Sequence, residues 1–557
     1  MDVAKWENYA DRNRSLIFAI VGGVAGTIKA WTSRGALTPD LLNYLALART
    51  LLRNGWTSAT NGFWSPFYSW LLAIPMYFHL MSPKTELFWV HLINLGIFFV
   101  SMLCFHVFLS HTLRLAAIRG GAGNPSWARI ELWWYFTACA IFLFAILNWL
   151  PSSVATPDLL VTSFILLSAG FLAAILCRDR SWPNYLVLGA ALGMGYLSKA
   201  AGFPMALVFL MMLPFLSRGE KWKWAKCLLT VAAFVLVAGP FLYTLSKKEG
   251  HPTFGESGRV AFLMYGNGLP AYWLGEDVPG RTIAPSFDTL CSKPSVFGFH
   301  EVPTGVYFPA YEPSRWYAGL LPRFELRQIV QNLRVNLHAL AGMAEAESDL
   351  ALGFLVLLMF AGVAKGLRSV LDWWFLWLPA IVGTGMFWIV HIDERFIPPF
   401  IVLGSVGLYM GVLLANIRRP RMVVPVLLAL LVLQGGRATL EGVKGILGTP
   451  VSAEDNAAKI VYDLEKDGVP PGSKVALIGF HIAPYWAWMG QYLIVGEIPS
   501  SGSPEFYGTP KSDRNRVYDC LVKTGAQAAL IRAESPEYLE PGWRKVGNED
   551  LYVRLLE

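Results

Sequence analysis

Two aspartates stand next to long apolar segments in nearly identical surroundings. Asp40 lies in TPDLLNYLALARTLLRNG, and Asp158 lies in TPDLLVTSFILL. A carboxylate at the edge of an apolar segment costs free energy unless it faces water or has a function. A carboxylate can also accept the proton of an attacking hydroxyl group. The repeated TPDLL setting therefore indicates two acids of one functional site, provided that both lie on the same face of a membrane.

A second group of polar residues falls near the predicted ends of other apolar segments. Lys199 lies in GYLSKAAGFP, and the segment HIDERFIPPF contains His391, Asp393, Glu394 and Arg395. Fixed cations can stabilise the negative charge that grows on a phosphate leaving group. Acids and cations at one depth of a membrane therefore suit the transfer of a group from a lipid-linked phosphate.

Each of these residues also has a purely structural interpretation. Asp40 and Asp158 could each cap the helix that follows, and Lys199 could extend from an apolar helix to the lipid headgroups. The cluster in HIDERF could be an interfacial set of ion pairs, which is the preferred interpretation for its histidine and its first acid. Tyr68, in the aromatic segment WSPFYSWLLAIP, could line a groove for an acceptor or a lipid chain. Such aromatic residues more often form a belt at the membrane surface.

The composition is that of a membrane protein. Hydrophobic residues make up 54% of the 557 residues, and the mean hydropathy is +0.44, which is too apolar for a soluble chain of this length. Apolar segments long enough to cross a core of roughly 30 Å predict about eleven transmembrane helices. They are 15–32, 87–110, 131–150, 158–177, 184–202, 203–217, 227–245, 349–366, 371–391, 396–416 and 422–436.

Lys and Arg in the short loops predict the orientation. The first apolar segment follows three basic residues and is predicted to be an uncleaved anchor that starts in the cytoplasm. Five loops are rich in Lys and Arg: 111–130, 178–180, 218–226, 365–368 and 418–421. All five face the cytoplasm, as basic loops do, only if the segment 65–82 lies along the outer surface without crossing. Asp40 and Asp158 then both reach the outer face.

Three segments remain outside the membrane in this topology: 33–86, 246–348 and the C-terminal part. We predict a transmembrane catalytic domain at 1–437, which includes the first two segments, and an extracytoplasmic α/β domain at 438–557. In the latter, SAEDNAAKIVYDLEKDG has the pattern of an amphipathic helix, and KVALIGF, QYLIVGEI, AQAALIRA and LYVRLLE have the pattern of strands. Cys291 and Cys520 would both lie outside and could form a disulfide, although the sequence does not show that they meet.

Other classes of function find little support. The net charge of +7 is explained mainly by the cytoplasmic loops, so it does not indicate a nucleic-acid partner. The sequence contains no GxxxxGK[ST] or GxSxG motif and no CxxC pair, which argues against ATP-driven transport and the commonest hydrolases. A secondary transporter or lipid flippase could use the same acids to bind protons or headgroups. It would favour ionisable residues near the membrane midplane, whereas these acids are predicted at one face.

The order of the motifs resembles the GT-C glycosyltransferases. More narrowly, it resembles the group related to protein O-mannosyltransferases and the lipid A aminoarabinose transferase. The resemblance covers roughly residues 10–420. It rests on the acid after the first span, the segment WSPFYSWLLAIP, TPDLL at 156–160, GYLSKAAGFP at 195–204 and DERFIPPF at 393–400.

The resemblance implies a role for each candidate residue. Asp40 would be the base that activates a hydroxyl acceptor, and Asp158 would help to build the site. Lys199 and Arg395 would hold the phosphate of a polyprenyl-phosphate sugar donor, with Glu394 beside them. Some members have a divalent metal near these acids, so Asp40 and Asp158 are candidate ligands of Mg²⁺ or Mn²⁺, although the sequence does not require a metal. Many members have two adjacent acids where this chain has one acid followed by a leucine, which argues against tight metal binding there.

The implied protein is an α-helical polytopic membrane glycosyltransferase in a bacterial inner membrane. It would transfer a sugar to a protein, lipid or polysaccharide hydroxyl on the outer face.

Overall fold

The computed structural model describes residues 3–120, 126–150, 155–177, 181–269, 287–300, 303–415, 420–448, 453–479, 484–500, 503–533 and 536–556. The chain forms two compact units. The first, called the membrane unit, comprises Met1–Arg34, His91–Phe254 and Leu326–Thr449. The second, called the sheet unit, comprises Gly35–Val90, Gly255–Glu325 and Pro450–Glu557. The predicted loop 178–180 and the first half of 418–421 lie outside the described residues.

In chain order, the α-helices are α1 (Val3–Arg12), α2 (Arg14–Thr32), α3 (Pro39–Asn54), α4 (Trp56–Ala59), α5 (Pro66–Tyr77), α6 (Glu86–Ile118), α7 (Trp127–Phe144), α8 (Asp158–Leu176), α9 (Trp182–Ser198), α10 (Gly202–Leu216), α11 (Lys223–Glu249), α12 (Ser257–Ala261), α13 (Phe308–Tyr311), α14 (Leu326–Ala346), α15 (Ser348–Ala361), α16 (Val363–Leu371), α17 (Trp374–Val390), α18 (Pro398–Leu413), α19 (Val423–Leu447), α20 (Ala453–Lys466), α21 (Tyr485–Met489), α22 (Ser503–Gly508) and α23 (Arg514–Val522). The strands are β1 (Phe287–Ser292), β2 (Ser295–Phe299), β3 (Lys474–Ile478), β4 (Leu493–Ile498), β5 (Ala528–Arg532), β6 (Arg544–Val546) and β7 (Leu551–Leu555).

Within the described residues, each apolar segment predicted to cross the membrane is mostly helical. Among the described residues, six helices are long and apolar enough to span a bilayer: α2, α6, α7 with the π-helical turn that extends it to Trp149, α8, α11 and α19. The protein is therefore a multi-pass membrane protein, and the number eleven stays a prediction. Around α8 pack α9, α10, α17 and α18, while α9 also packs along α11. These helices supply the framework of the candidate site.

The predicted span 349–366 is not one straight helix. Gly362 has φ of +80° and separates α15 from α16. Glycine adopts such a positive φ without the strain that a side chain would cause. The two helices bend by 112° at this point, and together they would count as a seventh span.

The segment 65–82 forms only the short helix α5. Its 12 residues correspond to a length of about 18 Å at 1.5 Å per residue, well below a hydrocarbon core of roughly 30 Å. Pro66 starts the helix, and Pro75 interrupts its hydrogen bonding near the end. This length supports the prediction that 65–82 does not cross the membrane.

The sheet unit contains a mixed seven-stranded sheet in the order β1-β2-β4-β3-β5-β7-β6. The central pairs β4–β3 and β3–β5 are parallel, and the outer pairs are antiparallel. Short helices connect the parallel strands, because a hairpin turn cannot join strands that run in the same direction. The four predicted strands and the predicted helix 452–468 are confirmed as β3, β4, β5, β7 and α20. The predicted fold class, an α-helical membrane protein with a small C-terminal α/β region, is confirmed in these features.

Two strands of this sheet come from the middle of the chain. The hairpin β1–β2 lies in the loop 246–348, and β2 pairs with β4 through Phe297 and Glu497. Cys291 of β1 and Cys520 of α23 form a disulfide with a Cα–Cα distance of 6.2 Å. The disulfide was left open from the sequence, and the pairing of the hairpin with β4 was not predicted, because partners about 200 or more residues apart in the chain leave no local pattern. The domain boundary predicted at 437 stays a prediction, and α19 continues past it to Leu447.

Candidate active site

Asp158 is the first residue of α8 and is buried, with 4% of its surface exposed. Pro157 occupies the N-cap position, so Asp158 is the first helical residue and the alternative interpretation, in which it is only a helix cap, does not describe it. A carboxylate in the first turn is nevertheless favoured by the helix dipole. Its Oδ2 accepts a hydrogen bond from the Thr156 hydroxyl at 2.7 Å. The TPD sequence thus holds its own carboxylate in place.

Lys199 follows the last residue of α9 in an extended conformation. Its Nζ donates to Asp158 Oδ1 at 2.5 Å, so the side chain binds a buried carboxylate, unlike the alternative interpretation in which it extends to the lipid headgroups. The chain turns directly into α10, because Gly202 packs against the end of α9. A Cβ on that glycine would lie 2.4 Å from the carbonyl oxygen of Gly195. This close approach sets the lysine at the break between two helices.

Arg395 lies in a 3₁₀ turn, Glu394–Phe396, between α17 and α18. Asp393 caps this turn, since its Oδ1 accepts from the backbone N–H of Arg395 at 3.2 Å. Its Oδ2 accepts from Arg395 Nε at 2.9 Å. The same Nε lies 3.8 Å from Asp158 Oδ2. The arginine is therefore placed between two carboxylates.

The ring of Phe396 lies against both cations. Lys199 Nζ is 3.7 Å from the ring centroid, and Arg395 Cζ is 5.3 Å from it. A cation near an aromatic ring face is attracted by the ring quadrupole. Thr156 and Phe396 were not identified from the sequence, although both belong to motifs, TPDLL and DERF, that were singled out.

A small cleft borders this cluster on its apolar side. Its free volume is about 20 Å³, roughly the space of one water molecule. Asp158, Lys199 and Arg395 form its polar end, and apolar side chains from four helices form its walls, including Val161, Ile165, Met205, Met386, Phe387 and Phe400. The cleft therefore combines charged groups at one end with apolar walls, in a space no larger than a water molecule.

The other predicted residues are placed as follows. Glu394 is exposed, and His391 is half-buried. Asp40 and Tyr68 belong to the sheet unit. Asp40 is half-buried in the first turn of α3. The N-cap of that helix is Thr38, so Asp40, like Asp158, is not an N-cap residue. Tyr68 is fully buried, edge-on to the ring of Tyr44, so a place in a lipid-facing belt is wrong for it.

The donor set at Asp158 does not fit a divalent metal. Both carboxylate oxygens accept hydrogen bonds, and Lys199 and Arg395 place two positive charges where a metal would have to approach. Across the described ranges, no group of three or more His, Cys, Asp or Glu residues could hold a metal ion. We therefore assign no step to a metal at this cluster.

No protein-family model matches the chain, and no curated protein matches it. Among solved structures, the chain is similar to ArnT from Cupriavidus metallidurans bound to undecaprenyl phosphate, with 12% identity, 97% coverage of each chain and a TM-score of 0.41. The apo form of that protein gives 12% identity, 98% coverage of each chain and a TM-score of 0.43. An oligosaccharyltransferase from Archaeoglobus fulgidus, tethered with an acceptor peptide, gives 12% identity and a TM-score of 0.49, over 94% of this chain and 69% of the other.

Both kinds of matched protein are GT-C fold glycosyltransferases, the group that the motif order resembles.

Proposed function

We propose that this protein is an integral membrane glycosyltransferase. It transfers a sugar from a polyprenyl-phosphate donor to a hydroxyl acceptor on the outer face of the membrane. The observation that carries the proposal is the meeting of Lys199 and Arg395 beside an apolar cleft. Two cations of this kind suit a phosphate group, since charge-assisted hydrogen bonds to phosphate are strong and arginine can form two in parallel.

Asp158 organises the phosphate site and is not the base. Its two oxygens already accept hydrogen bonds from Lys199 and Thr156, and it is buried. A general base needs an oxygen within hydrogen-bond reach of the acceptor hydroxyl. Lys199 and Arg395 would repel each other, and the Asp158 carboxylate between them keeps them close together.

Asp40 supplies the base in this proposal. The acceptor oxygen attacks the anomeric carbon of the sugar, and its proton passes to the Asp40 carboxylate. The bond between the anomeric carbon and the phosphate oxygen breaks, and polyprenyl phosphate leaves with the electron pair. Lys199 and Arg395 stabilise the charge that develops on the leaving phosphate.

The outer-face assignment rests on the basic loops at the opposite ends of the same helices. α10 begins three residues after Lys199 and ends at Leu216, and a loop with Arg218 and Lys221 connects it to α11. Basic loops stay in the cytoplasm. The ends of the helices near Lys199 then face outward.

The test is a transfer assay with the purified full chain, a radiolabelled polyprenyl-phosphate sugar and candidate acceptors. We expect release of polyprenyl phosphate with wild type and loss of that release in Arg395→Met. Lys444→Met, which breaks an exposed pair with Glu441, is the matched control and should retain activity. Movement of intact donor across a vesicle membrane, without cleavage of the sugar-phosphate bond, would favour a lipid flippase instead.

A further inference from the structure

Among the described residues, the ion pairs of the candidate site contain equal numbers of cations and carboxylates. Lys199 and Arg395 carry two positive charges, and Asp158 and Asp393 carry two negative charges. A donor phosphate adds negative charge to this balanced group. Strong binding of the donor phosphate therefore requires that one of the two carboxylates loses its ion pair with a cation.

The two carboxylates are held to different degrees. Asp158 is 4% exposed, begins a long helix and accepts hydrogen bonds from two side chains. The Asp393 side chain is 35% exposed, and its backbone is extended, between α17 and α18. A partly exposed ion pair such as Arg395–Asp393 is screened by water and salt. A buried carboxylate that loses its cation is far more costly. Asp393 is thus the carboxylate that can be displaced at low cost.

The position of Asp393 matches the place that a phosphate would take. Its Oδ2 lies 2.9 Å from Arg395 Nε, while Asp158 Oδ2 lies 3.8 Å from the same atom. The nearer and more exposed partner of the arginine is therefore the displaceable one. An incoming phosphate oxygen can accept the hydrogen bond that Arg395 now donates to Asp393.

We propose that Asp393 is a displaceable counterion of Arg395, which occupies the phosphate position until the donor arrives. Asp158 is the permanent counterion. This inference rests on the proposed function, because it requires that a phosphate ester meets Arg395. Asp393 competes with the ligand, so its charge weakens phosphate binding and speeds release of the polyprenyl phosphate product.

The test measures binding of farnesyl phosphate to the full chain in detergent. Asp393→Asn removes the charge but keeps an oxygen that can cap the 3₁₀ turn, and Asp393→Ser keeps a capping hydroxyl. We expect both variants to bind about two- to fivefold more tightly than wild type, which corresponds to the modest strength of a partly exposed ion pair. In turnover, we expect a lower KM for the donor together with a lower kcat and stronger inhibition by product. Glu441→Gln, which removes the acid of an exposed pair in the same unit, should leave binding unchanged.

Weaker or unchanged binding in both variants, with measurable binding by wild type, would overturn the inference and identify Asp393 as a residue that only orients Arg395. The proposed function would survive that result. No binding of farnesyl phosphate by wild type or by any variant would contradict the proposed function itself.

Discussion

Asp158 in the membrane unit and Glu497 in the sheet unit are both buried, but their surroundings differ. Asp158 is surrounded by Lys199, Arg395 and a threonine hydroxyl. Glu497 lies in β4, where the hydroxyl of Tyr307 donates to its Oε2, and its Oε1 has no hydrogen-bond partner in the described part of the chain. Burial raises the pKa of Glu497 to about 8, although the tyrosine hydrogen bond opposes this shift.

The difference shows two ways in which a buried carboxyl group can be tolerated. Glu497 avoids the cost of a buried charge by keeping its proton, which is the common outcome in an apolar interior. Asp158 is compensated by cations. A buried carboxylate with two cations gives no clear gain in stability over apolar packing. The membrane-unit cluster is therefore better explained by function, and the sheet-unit pair by structure.

The largest effect should come from Asp40, which is neither of these two buried acids. Asp40→Asn should lower sugar transfer by about 10²–10⁴-fold, the usual contribution of a general base, because the amide cannot accept the proton of the acceptor hydroxyl. The measurement is the initial rate of polyprenyl phosphate release. The variant should elute from a sizing column in detergent like wild type. Retained transfer would mean that another group, Asp158 included, acts as the base.

Removal of Lys199 should show that Asp158, unlike Glu497, depends on its cations. Lys199→Met leaves the Asp158 carboxylate buried with less compensation, and we expect a loss of roughly 3 kcal/mol in stability together with loss of transfer. Thermal unfolding in detergent measures the first, and the transfer assay measures the second. The double variant Lys199→Met, Asp158→Leu should regain stability but not activity. Recovery of activity in the double variant would contradict a functional role for the cluster.

Glu497 should make the sheet unit sensitive to pH. Its pKa is about 8 in the folded chain against an ordinary value of 4.5, so the folded state holds a proton that the unfolded state releases. The stability linked to this proton is present below pH 4.5 and is lost as the pH rises toward 8, by on the order of 5 kcal/mol. Hydrogen exchange of the β4 amides in the full chain should be faster at pH 8 than at pH 6, after correction for intrinsic exchange.

Glu497→Gln is the matched variant for that measurement. The glutamine stays neutral at both pH values, so the corrected exchange of β4 should become nearly independent of pH. Equal pH dependence in wild type and variant would show that Glu497 is not the group responsible.

The smallest effect should come from the threonine beside Asp158. Thr156→Val removes one hydrogen bond to a carboxylate, which is worth about 1.5 kcal/mol, and should lower transfer by about tenfold or less. Thr156→Ser should restore it, because the serine hydroxyl can make the same bond. A larger loss in the serine variant than in the valine variant would point to packing of the threonine methyl group instead.

The sequence allowed much of the site to be predicted, since Asp158, Lys199 and the DERF segment were each singled out. It could not show which of them touch. Lys199 and Asp158 are 41 residues apart, and Arg395 and Asp158 are 237 residues apart (395 − 158). Phe396 was overlooked because an aromatic residue in an apolar segment has no distinctive pattern, although its ring lies against both cations.

Hydropathy and local periodicity by themselves determined the membrane class, the positions of the apolar helices and the strands β3, β4, β5 and β7, because these depend on residues close together in the chain. Only the tertiary structure decided that β1–β2 joins the C-terminal sheet, that Cys291 meets Cys520 and that Asp158 is held by two cations. These features arise from contacts between distant segments. Such contacts depend on packing and charge compensation in three dimensions, which no local pattern encodes.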